Sequence, residues 1–86
     1  MLPGEDLIRR GLEDLERGVE TPEALLVSIG APRLRQLGFE VVATVPDPEH
    51  SLYALLHAED ADSAHSRYNA LVRRLVSFER AAECAS

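Results

Sequence analysis

The chain has 86 residues, 45% of them apolar, which allows one packed core and excludes a disordered tail; residues 1–86 read as a single helical domain. Fifteen acids oppose nine arginines, with no lysine, for a net charge of −6, a balance that disfavours non-specific nucleic-acid binding and removes any Schiff-base lysine. A lone cysteine, Cys84, excludes an internal disulfide, and its place near the C-terminus reads as an incidental thiol.

The first helix is expected from about Glu5 to Arg17. Leu7, Ile8, Leu12 and Leu15 recur on one face, and Glu5–Arg9, Asp6–Arg10 and Glu13–Arg17 place acid before base four residues apart. Gly18 is a natural stop. Gly11 lies on the apolar side, where a missing side chain allows close approach by another helix.

Thr21-Pro22-Glu23 is a second start signal: a hydroxyl cap, a first-turn proline, then an acid at the positive helix end. The run Ala24 to Ile29 is uniformly apolar and belongs in the core, with Gly30 as its stop. Pro32 to Leu37 then reads as one more short turn of helix, ended by Gly38. Residues 22–37 thus have the outline of a helix-turn-helix, with Arg33, Arg35 and Gln36 as base or phosphate contacts of a DNA-binding regulator. Six residues are short for a helix in the major groove, and the acidic surroundings repel phosphate.

Residues 39–45 alternate with β-branched character, yet a lone strand cannot satisfy its own backbone groups. An extended connection is the preferred reading. Asp47-Pro48-Glu49 repeats the cap–proline–acid signal and opens a helix to about Ala58, with Leu52, Leu55 and Leu56 inward.

The last helix is expected over about 60–83. Ala61, Ala64, Tyr68, Leu71, Leu75, Phe78 and Ala82 are spaced alternately by three and four, an unbroken heptad seam. Val72 and Val76 form a second stripe, and Glu79 lies between the two as a semi-buried acid suited to pairing with an arginine. The helix would be about 33 Å long, close to the diameter of an 86-residue domain, so a second copy is the expected cover for what the shorter helices leave bare. Tyr68, Leu71, Val72, Leu75, Val76, Phe78 and Glu79 are therefore the interface candidates.

Charge divides along the chain. Residues 1–63 hold five arginines against thirteen acids, net −8, whereas residues 64–83 hold four arginines against two acids, net +2. Arg67, Arg73, Arg74 and Arg80 are solvated, or meet acidic parts of a partner, or bind an anion. Without interleaved aromatics they make a thin nucleic-acid footprint.

Catalytic signals are sparse. No serine stands in a Gly-x-Ser-x-Gly turn, and no phosphate loop is present. His57, His65 and Glu59 are the only weak metal-ligand candidates, since no tight ligand motif occurs and the calcium-like start at Asp60 lacks its glycine and closing glutamate. No cofactor is implied. The N-terminus lacks a signal peptide's basic start and apolar run, so a soluble cytoplasmic protein with no membrane contact is expected.

The combined expectation is an all-α bundle of four or five helices with a long C-terminal helix. It would serve as a non-catalytic assembly module, most simply a homodimer, with an unidentified protein as a further partner. The alternatives are the DNA-binding reading and an enzyme or metal site between subunits.

Overall fold

The computed structural model describes residues 2–85, in which four helices follow one another: α1 (Glu5–Glu16), α2 (Pro22–Gln36), α3 (Pro48–Glu59) and α4 (Ala64–Ala85). No strand occurs among these residues, so the all-α bundle with a long last helix holds.

α2 is the centre and packs against each of the other three helices. Ala24, Leu25, Leu26, Val27, Ala31 and Leu34 are buried, as are Ser28 and Gly30, so its sides are covered almost all round. The expected stop at Gly30 does not occur: helix continues through Gly30, Ala31 and Pro32 to Gln36. The two breakers together cost roughly 4 kcal/mol in a helix interior. Each fully buried leucine or valine contributes about 1.5–3 kcal/mol, so burial of the surrounding run outweighs them. This corrects the division of 22–37 into two helices, and with the turn gone the helix-turn-helix outline goes too.

Thr21 caps α2 as expected, its hydroxyl oxygen accepting from the Ala24 N–H at 3.2 Å. The same hydroxyl donates to Asp14 Oδ2 at 2.6 Å, while Arg17 donates to Oδ1 at 2.6 Å. A buried carboxylate thus ties the end of α1 to the start of α2. Its pKa is held below the ordinary value by the Thr21 hydrogen bond first, then by that from Arg17. Between them Gly18, at φ +70°, closes α1: the Val19 N–H reaches the Asp14 carbonyl and the Gly18 N–H that of Leu15.

Gly11 is where α1 meets α2. A Cβ there would lie 2.3 Å from the Glu23 carbonyl oxygen and 2.4 Å from Val27 Cγ2, so the two backbones approach as only glycine permits. Of the three acid-before-base pairs expected on α1, only Glu5–Arg9 forms, at 3.1 Å; Arg17 turns to Asp14, and Asp6 faces Arg74 of α4 at 3.7 Å.

The connection from α2 to α3 has no strand, and α2 itself holds it. Phe39 follows the closing turn at Gly38 and packs its ring 5.5 Å from that of Phe78. Arg35 donates to the carbonyls of Val41 and Val42, and the Val45 N–H donates to Ser28 Oγ at 3.2 Å. Side chains of the central helix therefore satisfy backbone that a sheet would otherwise pair. Asp47 precedes α3 but does not cap it: its φ is +48° and its side chain makes no cap hydrogen bond. Position alone does not make a cap; the residue needs extended backbone to turn its oxygen onto the first turn.

α4 begins at Ala64, four residues later than expected. Asp60 takes the turn instead, accepting from the Asp62 N–H at 3.1 Å, and leaves Ala61 exposed outside the helix. The molecule measures 38 × 24 × 19 Å, so a helix of about 33 Å lies within its long axis. Length by itself therefore calls for no second copy.

Candidate interaction surface

The two apolar stripes of α4 have different fates. Leu75 and Phe78 are buried within the chain's own core, Leu75 beneath Gly30 and Phe78 against Phe39. As interface candidates they are corrected: both are already covered by their own domain. Tyr68, Leu71 and Val72 pack on the core with part of their surface open, and Val76 is 36% exposed. Tyr68, Val72 and Val76 are four apart in turn, so they form one row along the helix.

α3 extends this row. Its inner face buries Leu52 and Leu56, which leaves His50, Tyr53 and His57 on the outside at spacings of three and four. The Tyr53 ring stacks on His57 at 6.2 Å and meets Tyr68 edge-on at 5.9 Å. Tyr53 is 38% exposed, so both tyrosines of the chain join at one outer seam while both phenylalanines pair inside. Burial, and then the Glu49 carboxylate, raise the Tyr68 pKa, which keeps its hydroxyl neutral. Tyr53 was missed in the sequence. Its signal was present, an aromatic between two histidines opposite the leucine face, but the outer side of a short helix draws no notice from hydrophobic periodicity.

The arginines divide into two groups. Arg67 bonds to Glu59 at 2.9 Å, and Arg74 faces Asp6. Arg73 and Arg80 form no ion pair among the described residues. They lie three before and four after Val76, so helix geometry sets them one turn before and one turn after that exposed valine, along the same flank. Two of the three residues suggested for DNA contact are engaged within the fold, Arg33 with Glu83 of α4 and Arg35 with the Val41 and Val42 carbonyls, while Gln36 is exposed at the end of α2.

Glu79 sits where α4 crosses the end of α2. A Cβ at Gly30 would stand 3.2 Å from its carboxylate and 2.8 Å from Leu75 Cδ1, so the glycine makes room for both. Burial raises its pKa, and Arg33 opposes that only partly through space, because its guanidinium pairs with Glu83 instead. The expected arginine pairing thus goes to the neighbouring acid one turn on.

The metal candidates do not converge. His57 stacks on Tyr53, His65 lies 3.2 Å from Asn69, and Glu59 bonds to Arg67. Among the described residues no three metal-ligating side chains are grouped, and no helix is long and apolar enough to cross a membrane. Cys84 is exposed and free. Comparison with protein-family models, with curated proteins and with solved structures finds no match to this chain.

Proposed function

We propose that the chain is a non-catalytic assembly module that associates with a second copy of itself through the α3–α4 face. One observation carries the reading. Tyr53, Tyr68, Val72 and Val76 make a row of aromatic and aliphatic surface, and Arg73 and Arg80, the α4 arginines without ion pairs among the described residues, border it. Tyrosine offers large contact area at low entropic cost and is enriched at interface centres. Arginine is the cation suited to paired, interfacial positions.

Charge selects the partner. Glu49 lies on the α3 side of the row, near enough to Tyr68 to raise its pKa, while Arg73 and Arg80 lie on the α4 side. A twofold contact places each patch against itself reversed, so the arginines of one copy face the acidic side of the other. Residues 1–63 carry net −8 and residues 64–83 net +2, which favours the same pairing at longer range.

Sedimentation equilibrium tests the reading. A dimer mass is expected at tens of micromolar, with Val76→Asp and Tyr53→Ala shifting the chain to monomer and salt weakening association. A chain still monomeric at about 100 μM would reject it, since useful specific association is usually tighter.

A further inference from the structure

The opposite side of α4 borders a different feature. Two adjoining clefts of about 230 and 260 Å³ meet at Glu23, the first between α1 and α2 and the second between α2 and α4. Together they form a groove across the start of α2. Its apolar surface comes from Leu7, Ala70 and Leu71, and three arginines from two helices border it: Arg10, Arg67 and Arg74. We propose that this groove docks an acidic amphipathic helix from a partner protein.

Three features support that occupant. The chain as a whole is net −6, yet this groove gathers a third of its nine arginines. Two of them have little to hold: Arg10 makes no ion pair or hydrogen bond among the described residues, and the one ion contact of Arg74, to Asp6 at 3.7 Å, is too long for a hydrogen bond. Arg67 and Arg74 are seven residues apart, about 10.5 Å along α4, which is two turns of helix. A helix laid alongside, with acids at the same spacing and apolar residues between them, would meet both guanidinium groups while its apolar side covers Leu7 and Leu71.

The groove also holds its own opposing charges. Asp6 faces Arg74, Glu59 bonds Arg67, and Glu23 lies where the two clefts join. An incoming acid displaces the weak Asp6 contact at Arg74, competes with Glu59 for the exposed Arg67, and is repelled by Glu23. That repulsion gives the proposal a signature that general stickiness lacks: removing Glu23's charge must tighten docking.

The probe is a fluorescein-labelled helical peptide of about fifteen residues with leucines on one face and glutamates seven apart, read by anisotropy at low salt. Binding to the full chain is expected, weakened at least about tenfold by Arg74→Glu and by Arg10→Glu, and tightened by Glu23→Gln. Arg10 is exposed, so its variant serves where Arg74→Glu disturbs folding. Absence of binding at about 1 mM chain overturns the proposal. So does equal binding of a lysine counterpart, or unchanged affinity in both arginine variants. A glutamate peptide with serine in place of leucine that bound equally well would also overturn it, since the groove would then read charge alone. The mass measurement reads the α3–α4 face and anisotropy reads this one, so either idea can fail without the other.

Discussion

α2 and α4 are built on opposite terms. α2 breaks the local rules of a helix, with Gly30 and Pro32 in its interior, and is buried along most of its length. α4 has neither breaker and runs 22 residues, yet only Ala64, Leu75 and Phe78 of it are buried. The contrast separates two sources of helical order. Tertiary burial holds α2 together against its own propensity, whereas α4 has favourable propensity and leaves most of its surface available for other contacts.

The largest break in that comparison should come from truncating each helix. Leu26→Ala, at a fully buried position in α2, is expected to cost about 2–5 kcal/mol in urea unfolding, while Val76→Ser on α4 stays within about 0.5 kcal/mol for the monomer. Equal losses would mean that α4 is as central as α2. Pro32→Ala restores the N–H that the helix lacks opposite the Ser28 carbonyl, at an exposed position. It should raise stability by about 1–3 kcal/mol, and a loss would show that the proline is needed where it stands. Gly11→Ala gains about 1 kcal/mol of helix propensity but drives a Cβ into the Glu23 carbonyl and Val27. The clash should win, for a net loss of about 1–3 kcal/mol.

The smallest effects concern pH, and here the acid of α1 that holds the α2 cap, Asp14, and the acid of α4 beside Gly30, Glu79, have opposite signs. Asp14, with its pKa lowered by Thr21 and Arg17, contributes stability above the ordinary carboxylate range that is lost as pH falls through its folded value. Glu79, with its pKa raised by burial, binds its proton more tightly folded than unfolded, so stability falls as pH rises from the ordinary range through its folded value. Glu79→Gln should therefore stabilise at neutral pH and make no difference in strong acid. Asp14→Asn should destabilise at neutral pH, with that difference also shrinking in acid. Melting temperatures measured between pH 3 and 8 separate the two, and identical profiles for both variants would refute the assignment.

How much could be read in the residues varied with the kind of information each feature needed. Thr21-Pro22-Glu23, Gly18 and Gly38 marked real boundaries because caps and left-handed turns are local chemistry. Gly11 was legible as a place of close approach because it interrupts an apolar face. Gly30 and Pro32 misled for the same reason that the others succeeded: they are strong local signals, and burial of the flanking run overrode them. Asp47 had the right identity and the wrong backbone. At the candidate surface, the Val72–Val76 stripe followed from the helical wheel, whereas the four arginines of α4 read alike until ion pairing set Arg73 and Arg80 apart. Tyr53 did not, since its meeting with Tyr68 joins two helices whose mutual orientation no periodicity contains.

The net charge of −6 was settled by composition, and its division along the chain, the all-α class and the position of most helix ends by the local order of residues. Those properties depend on neighbours within a few residues, where propensity, capping and charge act directly. The tertiary structure decided the rest. It made one helix of 22–36, gave Arg33 to Glu83 and Arg35 to a loop, and chose which of α4's two stripes the core would take. Each of these outcomes is a competition among groups distant in sequence, decided by which contacts the packed backbone brings within reach.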